Sequence, residues 1–352
     1  MIRKGKAKVN ADGNNILDTP EPFGYCSFMA TKKAAPTTLL EAVNYFADKD
    51  VAHDFVTALR WPDGVVTCPR CEATSVSFLS TRNVWKCLGC KKQFSVKVGT
   101  IFEDSPLSLS KWLPAMWMLV NCKNGISSYE LSRAVGVTQK TAWFMLHRIR
   151  LATQAKTFTK MGGTVEADET YIGGKARNMH FKKRQQAQQM YQTHGPSAFG
   201  KVAVMGLLER HSGDKSSRIR TFMLKTTTTP ELLGHVVRNV EAGTTMNTDE
   251  NRSYGGLIAN YTHNVINHAE KYVNGQIHTN GAENFWSLLK RALKGTYVSV
   301  EPFHLFRYLD EQAFRFNERT LDDAGRFMLA AASIFGRRVM YKELTGHAAA
   351  GI

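Results

Sequence analysis

Cys68-Pro-Arg-Cys71 and Cys87-Leu-Gly-Cys90 form two Cys-x-x-Cys pairs, with fifteen residues between the pairs. Each pair is short enough for both thiolates to reach one ion, and two pairs complete the four-coordinate shell that Zn²⁺ prefers. The spacing therefore predicts a zinc ribbon over 61–98 in which Cys68, Cys71, Cys87 and Cys90 hold a structural Zn²⁺. Ribbons usually hold nucleic acid or protein, so the chemistry of the chain is expected elsewhere.

The composition indicates a multidomain protein with a polyanionic partner. The chain has 352 residues, which suits two or three domains, and 43% of them are hydrophobic. Its 46 Lys and Arg residues outnumber 30 Asp and Glu residues, a formal net charge of +16. Such an excess favours nucleic acid as the partner. Net charge by itself does not distinguish this from a merely basic surface.

Neither a signal peptide nor a membrane span is expected. The basic start Met1-Ile-Arg-Lys-Gly-Lys runs into Asn, Asp and Gly instead of an apolar core. The longest apolar run, Ala115-Met-Trp-Met-Leu-Val120, is too short to cross a bilayer. Cysteines that are paired as metal ligands or isolated fit a reducing compartment. We therefore expect a cytoplasmic, nucleoid-associated protein.

The segments before the ribbon differ in pattern. Residues 1–36 are rich in Gly, Asn, Lys and Pro and show no periodicity, which predicts a disordered tail. Apolar residues recur at helical spacing in 37–60, which predicts one N-terminal helix. The closing strand of the ribbon itself is expected over 93–98.

Three helices are predicted within 105–152. A capping box, Ser127 with Glu130, opens the middle helix, and Gly136-Val-Thr138 turns the chain into the third. A short helix, a glycine-containing turn and a longer helix make up the helix-turn-helix arrangement of DNA-binding proteins. On that reading the third helix contacts DNA through Gln139, Lys140 and Arg148. An ordinary bundle of amphipathic helices gives the same pattern, so both readings stay open.

From residue 163 onward strands come first and then alternate with helices. This rhythm over 163–319 predicts an α/β domain with a mixed sheet. A long basic insertion, 173–200, separates the first two strands and is either a solvated loop or an arm that faces DNA. The remaining residues, 320–352, are expected to form a C-terminal helical tail.

Three acidic residues fall at the ends of predicted elements. Asp168 ends the first strand, Asp249 ends a later strand and Glu283 opens a helix. Any one of them alone is more typical of a surface residue or a helix cap. Together they give hard oxygen ligands for two Mg²⁺ or Mn²⁺ ions in phosphodiester chemistry. Strand alternation places Glu166 deeper on the face of Asp168 and Glu169 on the opposite face.

The helix that begins near Glu283 carries two further candidates for DNA contact. Lys290 follows Glu283 by seven residues, so it shares the same helix face and places a cation beside the expected metal site. Trp286 is a candidate for stacking on an unpaired base, although core packing is the more common role of tryptophan. His278 is either near the site or an ordinary loop histidine.

Five runs in the chain resemble those of bacterial insertion-sequence transposases that join a zinc ribbon to a DDE catalytic domain, specifically the ISXO-like type, family fifteen-ninety-five. The similarity covers about 37–319. The runs are the ribbon cysteines, Gly99-Thr-Ile-Phe-Glu-Asp-Ser-Pro-Leu, Lys140-Thr-Ala-Trp-Phe-Met-Leu-His-Arg-Ile-Arg150, Glu166-Ala-Asp-Glu-Thr-Tyr-Ile-Gly-Gly174 and His278-Thr-Asn-Gly-Ala-Glu-Asn-Phe-Trp-Ser-Leu-Leu-Lys-Arg291.

The resemblance implies an RNase-H-like catalytic domain with a DDE triad of Asp168, Asp249 and Glu283. It also implies a homodimer that binds double-stranded DNA at the terminal inverted repeats, cleaves the element ends and joins the 3′ ends to target DNA. Some relatives carry Asn as the third member, and Asn280 and Asn284 flank Glu283 here. A non-catalytic zinc-dependent DNA-binding regulator and a metal-dependent DNA nuclease remain the alternatives.

Overall fold

The fold is described from a computed structural model, which covers residues 35–154, 159–173, 181, 185, 201–211, 213, 216–266 and 278–345. The predicted disordered tail, 1–36, lies outside the described residues except for its last two positions. The basic insertion, 173–200, lies outside them except for three single positions.

The segment before the ribbon forms two helices, where one was predicted. They are α1 (Leu39–Ala47) and α2 (Lys49–Arg60). Asp48 separates them: its backbone is extended, and its carboxylate accepts a hydrogen bond of 2.9 Å from the backbone N–H of Asp50. Because this side chain caps the second helix, it stops the first, and helical periodicity of the apolar residues does not reveal such a cap.

The ribbon is a three-stranded antiparallel sheet, and it is packed onto α2. Its strands are β1 (Val76–Leu79), β2 (Val84–Cys87) and β3 (Gln93–Phe94), in that order. The closing strand is shorter than the predicted 93–98, because a turn begins at residue 96. Trp85 is buried and stacks on His53 of α2, with 5.4 Å between the ring centroids.

Three helices follow the ribbon within 105–152, as predicted. They are α3 (Leu109–Asn121), α4 (Ser128–Val135) and α5 (Gln139–Ala152). The capping box that opens α4 has both of its hydrogen bonds, and Gly136 ends this helix with a φ of 63°. Residues 145–150 of α5 are all buried, so only the N-terminal part of this helix faces solvent.

The second unit is built on a mixed five-stranded sheet, as predicted. The strands are β4 (Thr164–Ile172), β5 (Val202–Glu209), β6 (Arg218–Leu224), β7 (Thr245–Asp249) and β8 (Thr262–Ile266). Their order in the sheet is β6-β5-β4-β7-β8, with antiparallel pairing from β4 to β6 and parallel pairing among β4, β7 and β8.

Helices cover both faces of this sheet. One face packs against α6 (Thr229–Asn239) and the 3₁₀ turn at Arg252–Ala259, and the other against α7 (Asn280–Ala292) and α8 (Leu305–Asn317). Side chains alternate along β4, so Val165 and Ala167 enter the first core. The even-numbered residues of β4 therefore face α7.

The residues predicted as a C-terminal tail complete the core of the N-terminal unit instead. They form α9 (Asp323–Ala332) and α10 (Tyr341–Leu344). Phe327 of α9 is 1% exposed and packs against Phe46, Phe55 and Trp117, with ring centroids 5.7, 5.7 and 5.0 Å away. The segment after α9 also pairs with the segment after the ribbon through backbone hydrogen bonds from Ile101 to Ile334 and from Gly336 to Gly99. The tail prediction was wrong because its docking partners lie more than two hundred residues away in the sequence.

A buried ionic network joins the two units. Arg150 of α5 donates a hydrogen bond of 2.6 Å to Glu311 of α8, and Arg315 pairs with the same carboxylate. The Tyr297 hydroxyl donates to Glu311 as well. The side chains of Arg150 and Glu311 are each 1% exposed, so their charges are compensated within the protein and not by water.

None of the helices within the described ranges has the length and apolar composition that a membrane span needs.

Replacing Phe327 by Ala should destabilise the N-terminal unit by roughly 3–5 kcal/mol, because it removes a buried aromatic ring from the middle of the core. The measurement is the free energy of unfolding from urea denaturation. Phe303 is 58% exposed, so Phe303→Ala is the matched control and should have little effect. Equal stability of the two variants would show that α9 is not part of this core.

Candidate functional site

The four cysteines of the ribbon lie together at a distance that suits one zinc ion. Their sulfur atoms all lie within 4.8 Å of one another, with 3.8 Å between Cys68 and Cys90 and 3.5 Å between Cys71 and Cys87. Tetrahedral zinc with Zn–S bonds of ~2.3 Å requires sulfur atoms about 3.8 Å apart. The residues present therefore fit a Zn²⁺ ion held by four thiolates.

The two Cys-x-x-Cys loops share one backbone geometry. The N–H of Cys68 donates to the carbonyl of Ala73 at 2.9 Å, and the N–H of Cys87 donates to the carbonyl of Lys92 at 3.0 Å. Each loop is thus closed by a hydrogen bond between its first cysteine and the residue five positions later. Although burial opposes it, the backbone N–H groups of Arg70 and Cys71 lower the pKa of Cys68 to about 7, which favours the metal-binding thiolate.

Asp168 and Asp249 lie side by side on neighbouring parallel strands. The last paired residues of β4 and β7 are Ala167 and Thr248, and the next position on each strand is an aspartate. The prediction that Asp168 ends its strand was wrong, because β4 continues to Ile172 as the partner of β5. It lies instead at the point where β7 stops, so the two aspartates occupy neighbouring positions at the end of the shorter strand.

Glu283 lies in the first turn of α7, on the face of the sheet where Asp168 also lies. Burial, followed by the negative charge of Asp249, raises the pKa of Asp168 to about 6, and Glu283 contributes in the same direction. The three acids therefore interact electrostatically. Within the described residues, only the four cysteines form a group of three or more ligating side chains within 4.8 Å, so the acids are spaced more widely.

Trp286 is a core residue that holds Asp168 and does not form an exposed stacking surface. It is 4% exposed, and its indole N–H donates a hydrogen bond of 3.0 Å to Asp168 Oδ2. Gly206 on β5 makes room for the ring, because a Cβ atom there would lie 2.7 Å from the indole. The predicted contact of Trp286 with DNA is therefore wrong, and the side chain orients a carboxylate instead.

Glu169 faces the opposite side of the sheet, as strand alternation predicted. Its carboxylate accepts a hydrogen bond from the hydroxyl of Tyr254, which is fully buried in the core under α6. Burial and the neighbouring charges of Asp249 and Asp168 raise the pKa of Glu169 to about 7, against the effect of the Tyr254 hydrogen bond. Glu169 thus anchors the strand that carries Asp168 to the core on the opposite face of the sheet.

Glu166 connects β4 directly to the beginning of α7. It is 1% exposed, accepts a hydrogen bond of 2.7 Å from Arg210 Nε and another of 2.9 Å from the backbone N–H of Ala282. A negative charge at a helix N-terminus also interacts favourably with the helix dipole. Gly281 allows this approach, because a Cβ atom there would lie 2.9 Å from Glu166 Oε2. The position of Glu283 is thereby fixed from the neighbouring strand.

Arg210 completes this connection from the end of β5. Its guanidinium also donates to the carbonyl oxygen of His278 at 2.5 Å and lies 2.8 Å from the Nδ1 atom of the same residue. His278 therefore belongs to the support of the α7 N-terminus. Arg210 was not identified from the sequence. The one feature that pointed to a buried cation was Glu166, an acid two residues before Asp168 on the same face of the strand.

Two family models match the chain, one for each of the parts described above. The ISXO2-like transposase domain matches residues 160–317, and the transposase zinc-ribbon domain matches residues 47–93. Both models describe parts of IS1595-type transposases, so the ribbon and the sheet unit of this chain are each similar to those of such proteins. It is also 27% identical, over 292 residues, to an uncharacterised protein in transposable element ISH50 of Halobacterium salinarum. That match covers 81% of this chain and 95% of the relative.

The other predicted DNA contacts divide into exposed and buried residues. Lys140, at the start of α5, and Lys290, on α7, are exposed. Gln139 donates a hydrogen bond of 2.8 Å to the Ser128 hydroxyl, so it joins α4 to α5. Arg148 is 4% exposed and donates to backbone carbonyls, so its predicted contact with DNA is wrong. In the structure, Arg148 lies on the buried side of α5.

The purified protein should contain about one Zn²⁺ per chain, held by the four thiolates. Cys87→Ser should reduce the zinc content and loosen the ribbon, because the ion supplies folding energy to a segment with little core of its own. Elemental analysis measures the metal, and tryptophan fluorescence reports on Trp61 and Trp85. Cys122→Ser, outside the cluster, is the control. Full zinc content in Cys87→Ser would contradict the assignment.

Glu166→Gln should destabilise the transposase domain by on the order of 3 kcal/mol, because it leaves the Arg210 guanidinium without its buried carboxylate. Gly281→Ala should act in the same direction, since its methyl group displaces that carboxylate from the Ala282 N–H. Thermal or urea unfolding gives the size of the effect, and amide hydrogen exchange at Ala282 gives its location. Glu250, which neighbours Asp249, is exposed, so Glu250→Gln is the control. Normal protection of Ala282 in Gly281→Ala, where the added methyl group displaces the carboxylate, would rule out the connection.

Proposed function

We propose that this chain is a DNA transposase that cleaves the ends of an insertion sequence and joins the 3′ ends to target DNA. The observation that carries the proposal is the pair of aspartates, Asp168 and Asp249, at the edge of two parallel strands, with Glu283 opening the helix over the same face. The transposase family model covers all three residues.

The sheet topology supports an RNase-H-like catalytic domain. Three antiparallel strands lead into two parallel ones in the order β6-β5-β4-β7-β8, with helices on both faces. In this arrangement the first strand is central, so its acid reaches both a neighbouring strand and the helix above it. Asp168 and Asp249 are both half-buried, whereas Glu283 is exposed.

Asp168, Asp249 and Glu283 would hold Mg²⁺ or Mn²⁺, whose preferred ligands are carboxylate oxygens. When bound, two such ions activate a water or a 3′-hydroxyl and stabilise the leaving oxygen of a phosphodiester. The chain itself contributes the positions of the ligands. Trp286 fixes the Asp168 carboxylate, and Glu166 fixes the start of α7. Burial, followed by the negative charge of Asp249, raises the pKa of Asp168, and bound cations would offset both effects.

DNA binding is assigned to the ribbon and to the pair of helices α4 and α5. Lys140 is exposed where α5 begins, the position from which recognition helices reach bases. Lys290 is exposed on α7 and supplies a cation near the proposed metal site. We infer that the double-stranded ends of the element bind here, that two copies of the chain pair the two ends, and that the protein works at the bacterial nucleoid in the cytoplasm.

Asp168→Asn, Asp249→Asn and Glu283→Gln should each reduce cleavage and strand transfer by more than about 100-fold, the scale on which single electrostatic contributions act in active sites. Each substitution keeps the size of the side chain and removes one negative charge. The measurement is Mg²⁺-dependent cleavage and joining of a labelled duplex taken from the DNA that flanks the gene. Glu250→Gln, next to Asp249 and exposed, is the control and should remain active.

The products of the same assay separate the proposed activity from the alternatives. Joining of cleaved ends to a second duplex indicates a transposase, cleavage without joining a nuclease, and binding without either a regulator. An active Glu283→Gln together with an inactive Asn280→Ala or Asn284→Ala would transfer the third ligand to an asparagine.

A further inference from the structure

A basic pocket lies at the seam between the N-terminal unit and the sheet unit. It has a volume of about 320 Å³ and is formed by the end of α3 together with α7, α8 and α9. Four cations line it, namely Lys123, Arg315, Arg319 and Arg326, and no carboxylate does. The pocket is separate from the proposed catalytic acids and from the exposed residues of α5.

Two of the four cations lack a negative partner. Arg326 is paired with Asp323, and Arg315 shares Glu311 with Arg150. For Lys123 and Arg319, no ion pair is present in the part of the chain that the structure describes. Because Arg150 and Arg315 share the single carboxylate of Glu311, this group also carries one positive charge in excess. The pocket therefore carries excess positive charge, which an anionic ligand would balance.

Two of the arginines that line the pocket, Arg319 and Arg326, are held in place by the protein. Arg319 donates from Nη1 to the carbonyls of Ser217 at 2.8 Å and Phe316 at 2.6 Å, and it lies over the Phe316 ring at 4.3 Å. Its Nε and Nη2 groups have no hydrogen-bond partner among the described residues. Arg326 donates to Asn121 at 2.9 Å. Since these side chains are already ordered, an anion that binds them costs little conformational entropy.

We propose that this pocket binds a phosphodiester of the DNA backbone. The proposal rests on the proposed function only in that the chain acts on DNA. Arginine guanidinium groups match the geometry of phosphate oxygens. Val120 and Leu288 add an apolar wall, which suits the deoxyribose next to a phosphate and offers nothing to a free inorganic ion. The ligand is therefore a nucleic-acid backbone, and the contact is independent of base sequence.

The position of the pocket gives the contact its role. Lys123 precedes α4 in the N-terminal unit, while Leu288 lies five residues after Glu283, about 7.5 Å along α7 at ~1.5 Å per residue. A DNA strand held here touches both units at once. The pocket thus positions the backbone between the proposed recognition helices and the proposed catalytic edge.

The test is the salt dependence of binding to a random-sequence DNA duplex by the full-length protein. The slope of log K against log salt is negative, and each lost phosphate contact lowers its magnitude by about 0.9. Lys123→Gln should therefore lower it by about 0.9, and Lys123→Gln with Arg319→Gln by about twice that. Lys160 is exposed outside the pocket, contacts the carbonyl of Val237, and provides Lys160→Gln as a control with an unchanged slope.

Unchanged slopes in both the single and the double variant would overturn the proposal. Lys123 is exposed and makes no ion pair in the described part of the chain, so its variant folds even if the Arg319 substitution disturbs α8. Stabilisation of the wild type by inorganic phosphate, lost in the double variant while the DNA slope stays the same, would assign the pocket to a free anion and also overturn it. If the variants show the expected smaller slopes but the wild type performs no strand transfer, the DNA contact is supported and the proposed transposase activity is contradicted.

Discussion

One buried carboxylate, that of Glu166, determines how the proposed active site is assembled. It lies two residues before Asp168 on the same face of β4, and it bonds to the N-terminus of the helix that carries Glu283. The strand and the helix come from segments more than a hundred residues apart in the sequence. Because Arg210 neutralises the charge and Gly281 provides the space, this contact fixes the helix of one proposed catalytic acid relative to the strand of another.

The features that could be predicted from the sequence are those with local causes. The spacing of the cysteines, the Ser127–Glu130 capping box and the alternation along β4 each act over a few residues, and the structure shows them as expected. What failed depended on distant partners. Arg148 carries a charge but points into a core that residues around Ile101 complete. No pattern within α5 contains that information.

The buried network around Glu311 gives the two units a defined relation to each other. Arg150 belongs to the proposed recognition helix, and Glu311 belongs to the helix that packs on the catalytic sheet. Breaking a buried ion pair of this kind leaves an uncompensated charge and is strongly destabilising. The network therefore favours a rigid connection, and under the proposed function DNA bound by one unit would meet the other at a constant angle.

The return of α9 to the N-terminal core also has a consequence for synthesis on the ribosome. Helices α1 to α5 emerge first, but Phe327 reaches them only after about 170 further residues have been made. At ~5–20 residues per second this delay lasts on the order of ten seconds or more. During that time the N-terminal unit lacks part of its core. Under the proposed function, nascent and prematurely terminated chains would therefore lack a complete DNA-binding unit and compete poorly with the finished protein for element ends.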